Sequence, residues 1–396
     1  METTNHTHTD SKEKTVLVLG GGIGGVRIAR ELNKLIGNEN GITLGKILIF
    51  EKERTSLFAP SLTKMMVGER DTAQIQDDLT KVALGGIELV FGEIESADPN
   101  KITVNSGGKT YSGDYMVVSL GTEQHDKHNL SGFGHNFYTA DGAASFYKQL
   151  KAFKGGKLAV VVSSLPHKSP VAPYEAAMLV DQYLRDNNLR DKTELSLYSP
   201  EKTPMPFAGD TVSGDVRSIM QKRGINYFPL HQLTGAENGV LSFTNEKGDA
   251  VTAETDLVAY TPDHRCPTVI SESGMCGASG WVEVNPQTLE TNFDRVYAIG
   301  DITSIKTSDE DQLPKAGVFA QYQALTVAHN IVRQMHGKQP DKIFTAEGKY
   351  IMDQGNGKAT RVGGNFYSSS LDIKESSAIN HWVKILQEKS WFAGHF

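Results

Sequence analysis

The chain has 396 residues, 38% of them hydrophobic and 22% charged, with a net charge of −7. That length accommodates two or three domains with a substantial core, and the acidic balance excludes a nucleic-acid role driven by a basic surface. Two cysteines, Cys266 and Cys276, are too few for a disulfide scaffold, and no run approaches the ~20 apolar residues of a membrane span.

Residues 1–13 are polar, carry His6 and His8, and lack the apolar core of a secretion signal. They read as a disordered tail on a cytoplasmic protein, and no metal site is expected. Val16–Leu19 is an apolar run with the pattern of a buried parallel strand. Gly20, Gly22 and Gly25 follow as G-x-G-x-x-G, and Val26, Ala29, Leu32 and Leu35 then take up helical spacing. Strand, glycine turn and helix in that order are the context a dinucleotide fingerprint requires. Gly20 keeps the turn tight, Gly22 lets the chain approach a pyrophosphate, and Gly25 lets helix and strand pack closely. The helix N-terminus offers free N–H groups and the positive end of its dipole to the phosphates. Lys46–Glu51 reads as the next strand, and its terminal Glu51 is placed to accept from both hydroxyls of an adenosine ribose. The gap from Gly20 to Glu51 exceeds the usual ~20 residues, and the polar loop over 37–45 accounts for the excess.

Arg54–Met66 has no clear period and reads either as a cover over a cofactor or as a packed connector. Short strands are expected at Gly86–Phe91 and Lys101–Asn105. Met116–Leu120 is a buried strand ending at Gly121, where a glycine lets the chain pass close to a ligand. A second unit starts at Gly156–Ser163 with another buried-strand pattern, followed by a helix with Ala176, Ala177, Leu179, Val180 and Tyr183 at its apolar positions. The link over 164–175 holds three prolines and no glycine. It therefore lacks both the N–H donors and the close approach of a phosphate cradle. Thr193–Tyr198 is the next strand of this unit and ends without an acid; Thr255–Pro262 closes the unit. Arg295–Ile302 is a strand ending in Gly300-Asp301, and Pro314 and Gly317 precede a long helix over Phe319–Gln334. In the tail, Trp382, Ile385, Leu386, Phe392 and Phe396 can share one helical face, suited to a membrane surface, to the body of the protein or to a dimer partner.

The glycine turn with Glu51, the Asp114–Gly121 strand and the Ala298–Asp301 strand end resemble the FAD-dependent two-dinucleotide-domain (pyridine nucleotide-disulfide) oxidoreductases. Within that superfamily, Pro166–Glu175, Leu313–Gly317 and the Gly348…Ala359 stretch look like the sulfide:quinone oxidoreductases and the flavin subunit of flavocytochrome c sulfide dehydrogenase. The resemblance implies FAD. Gly20, Gly22, Ile23, Gly24 and Gly25 would hold its pyrophosphate, with Glu51 and Lys52 at the adenosine ribose. Gly121 would pass close to the cofactor, and Gly300 and Asp301 would meet the ribityl chain. Lys315, Ala316 and Gly317 would face the flavin pyrimidine, where a helix N-terminus and a lysine stabilise negative charge.

The resembling enzymes oxidise sulfide with a cysteine pair beside the flavin. Ser169 and Tyr350 stand at those positions here, so that route to a disulfide or persulfide is closed. Cys266 and Cys276 read either as free buried thiols or as a relocated redox pair, which needs their Cα atoms within about 7 Å. Glu175 opens the helix after the proline-rich link, as a general acid/base or as a stabilising first-turn carboxylate. His167 and Lys168 either position an anionic substrate or face water. Tyr350 is expected to shield the flavin or close a channel.

The expected fold is α/β, with two Rossmann-like three-layer (ββα) domains and a small C-terminal capping segment. Residues 14–145 and 290–340 would form a split FAD domain, 150–289 the second Rossmann-like domain, and 341–396 a flavin cap with possible membrane contact. The expected function passes electrons from an unidentified small-molecule donor through FAD to a quinone or similar acceptor, with no nucleic-acid partner and with a homodimer as one open assembly. An NADH:quinone (type II) reductase and a flavin-binding protein without turnover remain as alternatives.

Overall fold

A computed structural model describes residues 13–37, 44–307, 312–368 and 370–395. His6, His8 and most of the loop over 37–45 lie outside the described residues. Five parallel strands form the first sheet, in the order Val296–Ala298, Tyr115–Val118, Lys14–Leu19, Leu44–Glu51, Ile87–Phe91. Alternate residues of its strands face opposite layers, as a pleated backbone dictates. Val16, Val18, Ile47, Ile49 and Val117 pack with the helices Ile23–Gly37 and Gly317–Met335. Leu17, Leu19, Leu48, Phe50, Met116 and Val118 pack on the other side with Ala97 and Val104 of a small antiparallel sheet. Burial on both faces explains why these strands read as unbroken apolar runs.

The second sheet repeats the plan. Its parallel order is His135–Asn136, Leu257–Thr261, Gly156–Val162, Thr193–Tyr198, Asn226–Phe228. Helix Ala172–Asp186 covers one face, and the three-stranded sheet of Gln232–Glu237, Val240–Thr244 and Ala250–Glu254 covers the other through Leu233, Leu241 and Phe243. The two units are thus three-layer ββα structures in an α/β protein.

Two chain crossings differ from those expected. His135–Asn136 already pairs with Leu257–Thr261 of the second sheet. Conversely, Asp263–Arg265 pairs with Glu123–His125, and Cys266, Ile270, Trp281 and Val282 pack under the first sheet. These segments join a unit by pairing and burial across the chain, which no local period records.

The C-terminal part is an antiparallel sheet of Glu347–Asp353, Ala359–Asn365 and Ser370–Ser377, followed by helix Ala378–His395. That helix inverts the usual arrangement. It buries Lys384, Glu388 and Trp391 and exposes Ile379 (74%), Trp382 (62%), Val383 and Leu386 (60%). The shared face expected in the tail is therefore divided. Trp382 and Leu386 are on the exposed stripe, Phe392 approaches Phe58, and Phe396 is outside the described residues.

Candidate active site

At the carboxyl end of the first sheet, Gly20 has φ +104° and its N–H donates to the Phe50 carbonyl at 2.9 Å. A Cβ on Gly25 would lie 1.8 Å from the Gly20 carbonyl oxygen, and one on Gly24 would lie 2.6 Å from Ser119 Oγ. These glycines are fixed by packing. Gly22 differs: a Cβ there would meet nothing within 4 Å. Its neighbour Ile23 lies against Gly317, so the first turn and the start of helix Gly317–Met335 share one rim. Glu51 is oriented by N–H groups of Gly21 (2.8 Å), Lys52 (2.8 Å) and Glu53 (3.2 Å). A carboxylate has about four acceptor positions; Oε1 takes two of these N–H groups and Oε2 one, so Oε2 keeps capacity for a hydroxyl donor. The Lys52 side chain is exposed.

Further along this sheet end, Gly121 has φ +67° and open space at its Cβ position. Thr122 Oγ1 and Asp301 Oδ1 are buried without a partner among the described residues. Burial raises the Asp301 carboxyl above its ordinary value against the opposing charges of Lys168 and Lys315. Gly300 has φ +79°, and its N–H donates to Gln323 Oε1 at 2.6 Å. Helix Gly317–Met335 starts at an extended Ala316 with no side-chain cap, which leaves first-turn N–H groups for a ligand.

Lys315 is held by the chain around it. Its ammonium donates to the carbonyls of Asp301 (2.8 Å) and Thr303 (3.0 Å) and lies 3.4 Å from the Trp281 ring centre. The amino group braces the Asp301 turn, using two of its three donors. Burial brings its pKa down to about 8.

The second domain supplies the opposite wall. Ser169 has φ +54° and its N–H donates to the Lys315 carbonyl at 2.7 Å. Tyr138 donates to the Lys168 carbonyl at 2.9 Å. Ser169 is thus held beside the Asp301 turn by backbone contacts. Tyr350 is buried among Phe207, Phe319 and Phe366, its hydroxyl unpartnered and its pKa pushed up by burial and by Asp301.

Two further features bear on the alternatives. Glu175 is no free acid/base. Lys384, Thr63 and the Asp353 N–H (2.8 Å) all donate to it, and it belongs to a buried charge cluster with Lys64 and Asp353. The acid absent from the tip of Thr193–Tyr198 is found beyond it. Glu201 is buried, accepts from Tyr174 and from Ser199 (3.2 Å), and is pushed up to about 7 by burial. Glycine-free sequence hides this because Tyr174 arrives from the helix on the other side of the link.

Cys266 and Cys276 are neighbours, with 2.8 Å between their sulfurs. They lie in the layer under the first sheet near Trp281. Burial and the Cys276 thiol push Cys266 up, which disfavours the reactive thiolate.

The sequence pattern of the pyridine nucleotide-disulphide oxidoreductase family matches residues 14–330, and the chain belongs to that family. Among curated proteins it is 24% identical to the mitochondrial sulfide:quinone oxidoreductase of Mus musculus, over 74% of this chain and 66% of the mouse protein. It is 24% identical to the sulfide-quinone reductase of Aquifex aeolicus, over 83% of this chain and 78% of that protein. The crystal structure of the Aquifex aeolicus sulfide:quinone oxidoreductase superposes with a TM-score of 0.86 at 22% identity, covering 96% of this chain and 91% of the other. The chain is accordingly an FAD-dependent oxidoreductase. Its residues fit the cofactor: an open glycine turn, an oriented Glu51, an orphaned Asp301 oxygen and an uncapped helix line one sheet end.

Proposed function

We propose that this protein passes electrons from a small-molecule donor through FAD to a quinone at a membrane surface. Bound FAD supplies the two-electron chemistry. Gly20–Gly25 and Glu51 would hold its adenosine diphosphate half, and Asp301 would meet the ribityl chain. The uncapped start of helix Gly317–Met335 stabilises negative charge on the flavin ring. Tyr350, with Phe207, Phe319 and Phe366, keeps water out.

The observation that carries the quinone reading is the C-terminal helix. It docks by its buried charges and turns Ile379, Trp382, Val383 and Leu386 outward at i, i+3, i+4 and i+7. Among the described residues no helix is long and apolar enough to cross a membrane. An outward apolar stripe instead suits a helix lying in the interface, where a lipid-soluble quinone is found. The names of the similar proteins also point to quinone as acceptor. Nicotinamide as donor is disfavoured because Tyr174 and Ser199 occupy Glu201 and the proline-rich link offers no phosphate cradle. Sulfide by a flavin-side cysteine pair is disfavoured by Ser169 and Tyr350. The test is anaerobic: reduced protein mixed with a water-soluble quinone regains its oxidised flavin absorbance. Absorbance that stays bleached overturns the proposal.

A further inference from the structure

The carboxyl ends of the central strands of the second sheet carry a set of buried, unpaired polar atoms. Ser163 Oγ follows Gly156–Val162. Thr261 Oγ1, Asp263 Oδ1 and both ring nitrogens of His264 follow or end Leu257–Thr261. His167 Nε2 comes from the link between strand and helix. All are buried, and apart from the approach of His264 to the Pro262 carbonyl none has a partner among the described residues. The two strands are adjacent and parallel. In an open parallel sheet ligands bind in the crevice outside the carboxyl ends of the strands. A buried polar group left unpaired costs about 1–3 kcal/mol, so a cluster of them at this sheet end implies an occupant. A dinucleotide is a poor fit, given the proline-rich link.

The chemistry of the occupant follows from the two imidazoles. His167 Nδ1 faces the Lys168 carbonyl at 3.2 Å. A carbonyl only accepts, so Nδ1 carries the proton and Nε2 presents its lone pair to the crevice. His264 is packed edge-on against Tyr138, 5.4 Å between ring centres, and feels the charges of Lys168, His167 and Lys315. The groups facing the pair are Lys168 on the link, Asp263 on the adjoining strand and Tyr138 from the turn before helix Ala140–Ala152. Lys315 and Asp301 face it from the first domain. Burial holds both imidazoles neutral, His167 at about 4 and His264 at about 2.

We infer that the second domain binds a small weak acid, X–H, in this crevice, with its proton passing to His167 Nε2 and its conjugate base lying between His264 and Lys168. The X–H bond breaks as the Nε2–H bond forms, and no electrons leave the pair in this step. The inference rests on the functional reading above, since Lys315 and Asp301 of the flavin site form the facing wall. It gives the crevice a base that faces the flavin site.

Azide is a suitable probe, being a small monoanion whose conjugate acid is weak. Calorimetric titration of the FAD-loaded protein in two buffers of different ionisation heat counts protons taken up on binding. We expect one proton per azide at neutral pH and an affinity that rises about tenfold for each pH unit lowered. His167→Gln should abolish the uptake and flatten the pH dependence, and His264→Gln should weaken binding at every pH. No azide binding, binding without proton uptake, or uptake unchanged in His167→Gln overturns the inference. Quinone reoxidation of the wild-type flavin is read separately. If azide fails while quinone succeeds, the inference falls and the functional reading stands; the converse result removes the quinone and leaves the acid site.

Discussion

At the scale of residues, the proposed cofactor site rests on Gly25 and Asp301, and Glu201 is a buried acid in the second domain. A Cβ at Gly25 would overlap the Gly20 carbonyl at 1.8 Å. Gly25→Ala should therefore cost about 1–3 kcal/mol or more and yield protein purified without flavin, read from the visible spectrum. Asp301→Ala removes a buried charged acceptor worth about 1.5–3 kcal/mol. Its FAD should dissociate at concentrations about tenfold to a hundredfold higher, measured by flavin fluorescence on dilution. Glu201 gives a pH signature. Its folded pKa of about 7 lies above the ordinary 4.5, so the native state binds the extra proton between those values and stability falls as pH rises through them. The loss is about 3 kcal/mol above pH 7. Urea midpoints should decline over that window in the wild type and stay level in Glu201→Gln. The glycines and the Gly300-Asp301 pair were legible because their demands are local: a turn, a close approach, an acid at a strand end. Glu201 and His264 were not, because their meaning comes from Tyr174 and Tyr138, which reach them across the fold.

At the scale of elements, the C-terminal helix is the feature whose reading changed most. Its aromatic content was plain in the sequence, but its orientation was not. Helical geometry alone allows Trp382, Ile385, Leu386, Phe392 and Phe396 to share a face. The burial of Lys384 and Glu388 decides otherwise, because each has a partner in the body of the protein that outweighs the gain from burying Leu386. Glu388 accepts from Arg70 at 2.9 Å and from Ser61, and Lys384 donates to Glu175. Burying a large apolar side chain in an interface is worth about 1.5–3 kcal/mol. Trp382→Ser and Leu386→Ser should each weaken vesicle binding by about tenfold or more in flotation assays, with unfolding midpoints unchanged. Vesicle binding equal to the wild type would remove the helix from any membrane role.

At the scale of the whole molecule, a buried charge cluster joins what the sheets keep apart. Lys64 comes from the first domain, Glu175 from the second, Asp353 from the C-terminal sheet and Lys384 from the C-terminal helix. Lys64 meets Asp353 at 3.0 Å, and His381 also approaches Asp353 at 3.0 Å. Burial opposes charge on both Lys64 and Asp353. Their mutual attraction still holds Lys64 above and Asp353 below their ordinary values. Removing one member strands the others: Lys384→Met should cost about 3–5 kcal/mol, read as a lowered thermal midpoint. Glu175→Gln in the same chain should restore part of it. This cluster left no mark in the sequence, since Glu175 and Lys384 lie 209 positions apart. Glu175 alone suggested only acid/base chemistry or a helix start.

The two-domain frame, by contrast, follows from strand runs and turns, and it organises the whole account around one flavin and one exit for its electrons. The most direct measurement is anaerobic flavin absorbance through a full cycle: NADH added first, then dithionite to full reduction, then a water-soluble quinone. The account predicts no bleaching by NADH and prompt recovery with quinone. Bleaching by NADH, or a flavin that stays reduced in the presence of quinone, would contradict it.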